Sequence, residues 1–482
     1  MKLKALLINP WIYDFSAFDL WMKPLGLLYV AGILEQNGFE VYMVDCLDRY
    51  NQELLKKMGW KMPKGEKKYG CGKFYKEEIN KPQIVKNVKR KYSRYGLPLE
   101  IFVKEIKDIP KPDVILITSM MTYWYPALID AIKIVRDIYK NIPIILGGVY
   151  ATLAFEHAKM LLNVDRVIKG EGENQIIPNI FEILRENKRN NVFYKSIDDF
   201  PFPLFKILKN IRYLPILTSR GCPFKCTFCA SNIVSGKFRT RSVESVIEEI
   251  KFHQYKFKVK EFAFYDDALL INKEKHIIPI LEGLLRNNIK VNFHTPNGLF
   301  PAMIDDELSN LMFASGFKTI RLSLETVNPE RLKDINFKVN IDKFEYCIES
   351  LVMAGYKRKE LESYILFVLS DQTVREVVET MIFAGKLGIK VRLAEFSPIP
   401  GTIEWKRSVS SEDLSPDADL LLMNNTLLPL RSKNFSWDVV SDLKTLARVI
   451  NNNSDSGTSL FKSNNVYKIT EKVVSKRLLE LI

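Results

Sequence analysis

The chain has 482 residues, 47% hydrophobic and 27% charged, which is enough for two or three domains, each with its own core. Its six cysteines are too few for a disulfide scaffold, and no uninterrupted apolar run reaches the roughly 18 residues of a membrane-spanning helix. The opening Met1-Lys2-Leu3-Lys4-Ala5-Leu6-Leu7-Ile8 reads as a core strand, not a signal peptide, so a cytoplasmic location is expected, and the net charge of +14 is mostly dispersed lysine.

The expected fold class is α/β. Residues 1–185 show a parallel-sheet pattern, with strands expected at Leu3-Ile8, Glu40-Val44, Val114-Thr118, Ile142-Leu146 and Arg166-Ile168. Helical spacing at Leu25 to Gln36 and Trp124 to Tyr139 supplies crossovers, so an open doubly wound, Rossmann-like sheet follows. Ligands of such sheets bind at carboxyl strand ends, which here are Asn9-Pro10-Trp11, Ser119-Met120-Met121-Thr122, Gly147-Gly148 and Gly170-Glu171-Gly172-Glu173. No Gly-x-Gly-x-x-Gly follows the first strand, which weighs against a dinucleotide. Gly147-Gly148 fits a close ligand approach and an ordinary turn equally well.

A charged insertion at about 48–110 interrupts the alternation, either as a lid or as structural decoration. Within it, Lys86 to Tyr95 carries five basic groups and two aromatics. That run suits nucleic acid or an anionic lipid surface, or is simply a basic face packed on the domain. Residues 186–209 read as a linker.

From 210 to 404 a strand-then-helix unit repeats six times. Strands are expected at Leu214-Thr218, Glu261-Tyr265, Val291-His294, Thr319-Leu324, Ser363-Phe367 and Val391-Phe396. Helices are expected at Val243-Gln254, Lys273-Arg286, Asp305-Ala314, Ile341-Met353 and Thr373-Leu387. Six units in place of eight imply a partial (β/α)6 barrel with a wide mouth. Arg321, Ser323 and Glu325 alternate along the fourth strand and so share one face, where Arg321 and Glu325 should pair with each other or with a charged ligand. Asp266 and Asp267 suit either acceptance from an ammonium group or capping of the next helix, Asp267 being the better placed to cap because Ala268-Leu269-Leu270 begins an apolar stretch, and His294 stands at a strand end as either a ligand contact or a satisfied polar residue. Residues 405–482 read as mainly helical, broken by a flexible loop at Asn451-Asn452-Asn453-Ser454-Asp455-Ser456-Gly457. From its position, this tail is expected to close the substrate side of the barrel.

The most specific signal is Gly221-Cys222-Pro223-Phe224-Lys225-Cys226-Thr227-Phe228-Cys229, on a loop between a strand and a helix. Three thiolates so spaced hold three corners of a cubic iron-sulfur cluster and leave one iron open. Structural zinc wants four ligands, usually as two pairs, and no second pair lies nearby. Cys46, Cys71 and Cys347 are single and read as buried thiols.

Cys-x3-Cys-x2-Cys on this barrel pattern resembles the radical S-adenosylmethionine (SAM) superfamily. The resemblance implies that the open iron chelates the methionine moiety of SAM and that one electron cleaves it to a 5′-deoxyadenosyl radical. Cys222, Cys226 and Cys229 are then the [4Fe-4S] ligands. SAM contacts are implied at Phe228, Tyr265, Asp266, Asp267, His294, Asn297, Arg321, Ser323, Glu325, Pro398 and Ile399. Tyr265-Asp266-Asp267 stands where the family often has Gly-Gly-Glu, so an aspartate would take the ammonium. Phe367 to Thr373 lacks the glycines usual after the fifth strand, which leaves the adenine contacts open.

The domain order is similar to cobalamin-binding radical SAM enzymes, many of them methyltransferases acting on unactivated carbon or phosphorus, others catalysts of ring contraction or cyclisation. Cobalamin contacts are implied at Asn9, Pro10, Trp11, Leu25, Gly26, Ser119, Met120, Met121, Thr122, Gly147, Gly148, Tyr150, Gly170, Glu171 and Gly172. Asp45-Cys46-Leu47-Asp48-Arg49-Tyr50 lacks the histidine of the Asp-x-His-x-x-Gly cobalt-ligating motif, as do branches that bind cobalamin without a protein ligand to cobalt. The resemblance further implies an organic substrate, unidentified from sequence, and an external one-electron reductant such as flavodoxin or ferredoxin. A rival reading from another class is an iron-sulfur protein that binds nucleic acid through Lys86–Arg94.

Overall fold

The computed structural model describes residues 2–186, 192–334, 339–430 and 433–456. The described residues divide into two compact units, one built on residues up to 215 with 233–236 and 419–426, the other on 216–232, 237–418 and 427–456.

The first unit holds a five-stranded sheet of β1 (Lys4–Asn9), β2 (Glu40–Asp45), β3 (Val114–Ile117), β4 (Ile144–Leu146) and β5 (Arg166–Val167). Their order is β2-β1-β3-β4-β5, and every neighbouring pair is parallel. Ala5-Leu6-Leu7-Ile8 and Val114-Ile115-Leu116-Ile117 are buried throughout, as continuous apolar runs must be when helices cover both faces of a parallel sheet. Helix α1 (Leu25–Gln36) carries the chain from β1 to β2, and α2 (Tyr125–Tyr139) from β3 to β4.

The insertion is anchored to this unit. Lys76–Glu78 and Ser93–Tyr95 form an antiparallel sheet with Ile12–Asp14, just after β1. Ile12, Leu47, Phe74 and Tyr95 form a common apolar cluster beneath it. The basic run is largely spoken for: Arg94 pairs with Glu77, Lys91 with Glu78, and Arg90 donates to the carbonyl of Thr426 (2.8 Å). Tyr92 to Tyr95 are buried against the domain, while Lys86, Lys89, Arg90 and Lys91 stay exposed at its surface.

The barrel is a six-stranded sheet of β6 (Tyr213–Ile216), β7 (Glu261–Phe264), β8 (Asn292–His294), β9 (Phe317–Glu325), β10 (Leu361–Phe367) and β11 (Lys390–Glu395), paired in chain order. The pairs from β7 to β11 are parallel, and β6 and β11 are the edges of this partial barrel. Helices α3 (Val243–Phe257), α4 (Ile277–Arg286), α5 (Asp306–Ser315), α6 (Ile341–Met353) and α7 (Val374–Lys386) alternate with the strands, and α8 (Ile403–Ser410) follows β11. Local chemistry sets several helix starts: Ser242, Asp305, Asn340, Thr373 and Thr402 each accept a first-turn N–H through the side chain. Rings of Phe264, Phe293 and Phe317 pack at 4.9–5.7 Å between centroids in the core.

Two expectations are corrected here. Asp267 does not cap the next helix: bends and turns fill 267–272, a 3-10 turn spans Lys273–Lys275 behind Asn272, and α4 starts at Ile277, so Asp267 instead accepts from the Ser231 hydroxyl. The loop expected at Asn451–Ser456 is the end of helix α9 (Trp437–Ser456), because Asn451 bonds both backbone groups of Val391 (2.8 and 3.0 Å) and Ser454 bonds the Gly388 carbonyl (2.7 Å). These bonds hold the helix end on β11 and satisfy an edge strand. Gly457 and the rest of the tail lie outside the described residues. Nor does the segment preceding α9 serve only the barrel: Asp419 accepts from Tyr125 (2.9 Å) and Asn424 donates to Asp14 (2.9 Å), both in the first unit.

Candidate functional site: the cysteine loop and the switch-point cleft

The cysteine loop leaves the carboxyl end of β6. Ser219–Arg220 pairs antiparallel with Arg239–Thr240, closing the base of the loop, and Gly221, at φ +78°, makes the left-handed turn into Cys222. Cys222 and Cys226 are half-buried and Cys229 is exposed. The Cys229 N–H donates to the Cys226 carbonyl (3.1 Å), the Ser231 N–H to the Cys229 Sγ (3.4 Å), and Asn232 to the Phe224 carbonyl (2.8 Å). Cys46, Cys71 and Cys347 are buried; burial raises the thiols of Cys46 and Cys347, which keeps them inert.

The root of the loop is fastened by Asp266, fully enclosed at the end of β7. Its carboxylate accepts from the Thr218 N–H (3.1 Å), the Thr218 hydroxyl (2.7 Å) and the Ser219 hydroxyl (2.6 Å). Burial pushes its carboxyl above the usual range, and the bonds from Ser219 and Thr218 only partly offset this. Asp266 is thus engaged in supporting the loop and is not the aspartate left for an ammonium group, a correction to its expected role. Asp267 is exposed at one edge though otherwise ringed by protein; that desolvation, with the charge of Asp266, raises its carboxyl as well.

His294 is 0% exposed and both ring nitrogens have protein partners, Thr319 Oγ1 (2.9 Å) and Glu261 Oε2 (2.8 Å). Of the two readings open from sequence, the structure gives the satisfied polar residue. Asn297 is exposed and donates to the Tyr265 carbonyl (2.9 Å), joining the ends of β7 and β8. Arg321 pairs not with Glu325 but with Glu362 of β10 (3.0 Å) and with the Tyr364 hydroxyl (2.9 Å), because the β9–β10 register sets Arg321 opposite Glu362. Burial drives the Glu362 carboxyl up, but Arg392 and Arg321 together outweigh it and hold it below its ordinary value.

The expected alternation also breaks. Register shifts between Ser323 and Glu325, and Glu325 has φ +60°, so the strand bulges there. Glu325 lines a small cavity beside Phe228, walled also by Thr227, Thr326, Arg331, Asp334 and Glu404. Ser323 is buried against Gly298, whose Cβ would lie 2.8 Å from the Ser323 Oγ. Pro398 is buried, and the Ile399 carbonyl accepts from the Thr402 N–H (3.1 Å) in the turn opening α8. Arg331, Asp334 and Glu404 escaped sequence reading because they stand on helices beyond the strand ends, with no motif to mark them.

In the first unit, strand order reverses direction between β1 and β3, the switch point at which doubly wound sheets bind ligands. A narrow cleft opens there, lined by Asn9, Pro10, Trp11, Ser119, Met120 and Met121 among others, and Thr122 lies buried beside it. Asn9 donates to Asp45 (2.7 Å), and Ser119 to the Gly147 carbonyl (2.7 Å). Gly147, Gly170 and Gly26 have open space where a Cβ would stand, while a Cβ on Gly172 would meet Val30 at 3.4 Å. Gly148 is held at φ +102° with its would-be Cβ 2.3 Å from the Ser119 carbonyl, so the close approach there is to protein. The Glu171 carbonyl accepts from Gln175 (2.6 Å). Leu25 and Tyr150 lie in the core, Tyr150 bonded to His157 (2.8 Å), so neither presents surface to a ligand, contrary to expectation. Asp45 and Arg49 of the would-be cobalt motif are spent on buried pairs with Lys23 and Asp19.

A family model for the radical SAM superfamily matches residues 216–384, and one for the B12 binding domain matches residues 87–177. The chain has the two-domain architecture of cobalamin-dependent radical SAM enzymes. It is 27% identical over 387 residues to an uncharacterized methyltransferase of Pyrococcus horikoshii, covering 72% of this chain and 81% of the relative. It is also 27% identical over 277 residues to the bacteriochlorophyllide d C-12(1)-methyltransferase of Chlorobaculum tepidum, covering 54% of this chain and 58% of the relative. Its fold is similar to that of the radical SAM methyltransferase TsrM from Kitasatospora setae, solved with cobalamin and a [4Fe-4S] cluster bound. The TM-score is 0.61 at 14% identity, covering 85% of this chain and 75% of TsrM.

The cofactors of this architecture are a [4Fe-4S] cluster, SAM and cobalamin. Three thiols on one loop are the soft donor set that a cluster takes, and the switch-point cleft beside the open Gly147 is where a doubly wound sheet receives its ligand. Among the described residues, no three His, Cys, Asp or Glu side chains gather about a point that would hold a single metal ion, and no helix is long and apolar enough to cross a membrane.

Proposed function

We propose that this radical SAM enzyme is a cobalamin-dependent methyltransferase acting on an unactivated carbon. The observation that carries the reading is the joining, in one chain, of a cysteine triplet at the mouth of a parallel partial barrel with a switch-point cleft on a B12-binding-type sheet. The methyltransferase names of the two relatives and of TsrM support it.

In this reading Cys222, Cys226 and Cys229 hold the cluster, and Asp267, the exposed member of the Asp266-Asp267 pair, takes the ammonium group of SAM. Phe228 and Glu325 line the nucleoside side of the site; Asn297, through its bond to the Tyr265 carbonyl, holds the β7 and β8 loops together around it. Asn9, Pro10, Trp11 and the Ser119–Thr122 turn, with Gly147, flank cobalamin. When bound, these groups supply a methyl donor and a carbon radical at the substrate, driven by an external one-electron reductant of flavodoxin or ferredoxin type. The protein's part is to bind and orient them and to exclude water.

Anaerobic reconstitution with iron, sulfide and cobalamin, followed by metal analysis and incubation with SAM and a reductant, tests the proposal. It requires cobalt and iron uptake, together with release of both S-adenosylhomocysteine and 5′-deoxyadenosine. Untargeted mass comparison of treated cell extract should then find a product heavier by about 14 mass units. Uptake of iron without cobalt sinks the methyltransferase. A product with no added mass points instead to cyclisation, the activity named for a 23%-identical relative, the anaerobic magnesium-protoporphyrin IX monomethyl ester cyclase of Rubrivivax gelatinosus.

A further inference from the structure

Thr227, which lies between Cys226 and Cys229, is held from both sides by segments remote in sequence. Its N–H donates to the Asp334 carbonyl (3.2 Å), and its own carbonyl accepts from the Glu404 N–H (3.0 Å). A single side chain then joins those two residues: Arg407 donates to Glu404 Oε1 (2.9 Å) and, through its other terminal nitrogen, to Asp334 Oδ1 (3.0 Å). Asp334 ends the short helix Pro329–Asp334 after β9, and Glu404 stands in the first turn of α8, which Thr402 caps after β11. The guanidinium therefore ties the connections following the fourth and sixth strands to each other, and both reach the loop that follows the first. The Glu404 side chain is 4% exposed, so its carboxylate needs a partner; Arg407, at 48%, supplies one from the surface.

We propose that Arg407 is a positioning residue for the cysteine loop. By locking Asp334 to Glu404 it fixes Thr227, and so the relative placement of the Cys226 and Cys229 thiolates that flank it. This rests on the reading that the triplet carries a [4Fe-4S] cluster. Thr227, Asp334 and Glu404 also wall the cavity beside Phe228, so the same fork sets the shape of that cavity. Only a planar, two-pronged cation fills the role, since an ammonium group is a point charge without the rigid fork.

The test uses the full chain, reconstituted anaerobically as wild type, Arg407→Gln, Arg407→Lys and, as a control, Arg286→Gln, which removes an exposed pair with Glu282 at 4.0 Å on α4. Iron and sulfide per chain, the rate of iron release to a chelator, and the electron paramagnetic resonance spectrum of the reduced cluster with and without SAM are measured, alongside thermal melts by circular dichroism. Arg407→Gln should release iron about fivefold faster, the scale of a partly exposed ion pair, and show an altered resonance spectrum, with its melt close to wild type. Arg407→Lys should fall between, and Arg286→Gln should match wild type. Iron release and spectra unchanged in Arg407→Gln would overturn the proposal, as would release that merely follows global unfolding. Failure of the wild type itself to take up iron and sulfide would instead remove the cluster reading on which the proposal stands.

Discussion

Replacing Asp266 by alanine should be among the most damaging single changes near the cysteine loop. The carboxylate receives the backbone N–H and the hydroxyl of both Thr218 and Ser219, and both of those residues are 0% exposed. Alanine strands the Thr218 N–H and the Ser219 hydroxyl in the interior, while the Thr218 hydroxyl keeps its contact with His276 Nε2 (2.8 Å). A buried donor left without a partner costs about 1–3 kcal/mol, and relief from burying the carboxylate returns part of that. The net loss should be about 3–5 kcal/mol, a large fraction of a typical ~5–15 kcal/mol stability. Asp266→Asn keeps an acceptor oxygen for hydroxyls that can rotate and should lose about 1–2 kcal/mol. The assay is equilibrium urea unfolding by circular dichroism, with the shift in midpoint converted through the slope of the transition. A loss below about 1 kcal/mol for Asp266→Ala would refute the reasoning, because it would mean that these donors find other partners.

Gly148→Ala sets a Cβ 2.3 Å from the Ser119 carbonyl at a φ of +102°, so the switch-point turn must rearrange; we expect about 3 kcal/mol or more of lost stability by thermal melt, and loss of cobalamin uptake in the folded fraction. Asn451→Ala frees the N–H and carbonyl of Val391 on edge strand β11 and should cost about 1–2 kcal/mol, read as faster hydrogen exchange at the Val391 amide. His253 is held down to about 3, against an ordinary 6.5, by burial and then by Lys256 and Arg241; Glu249, 3.7 Å away, is claimed by Arg241 and does not hold an imidazolium. The unfolded chain therefore takes up a proton near 6.5 that the folded chain refuses until about 3, so stability should fall as pH drops through that window, by up to about 1.4 kcal/mol per pH unit. His253→Phe should flatten that slope; an unchanged slope would show that the imidazole is protonated in place.

The strands of both sheets were legible because continuous apolar runs such as Ala5–Ile8 and Val114–Ile117 leave no doubt of a buried strand, and the helix starts because Ser242, Asp305 and Thr373 cap within a few residues of their own sequence. The cysteine spacing was legible for the same reason: its chemistry is complete within eight residues. The alternation read for Arg321, Ser323 and Glu325 failed at the bulge, because a register shift depends on the neighbouring strand and leaves no mark on the strand itself.

What the sequence determined alone is therefore what acts over a turn or two of chain: the order of strands and helices and the triplet of thiols. Tertiary structure decided which strands became neighbours, and hence that the first sheet reverses between β1 and β3, that Arg321 met Glu362, and that Arg407 came to bridge Asp334 and Glu404 around Thr227. The reason is that local periodicity fixes which face of an element is apolar, whereas the partner of a buried charge is fixed by register between segments tens of residues apart. Arg321 and Glu362 are 41 residues apart in the chain, and only the pairing of β9 with β10 brings them to 3.0 Å.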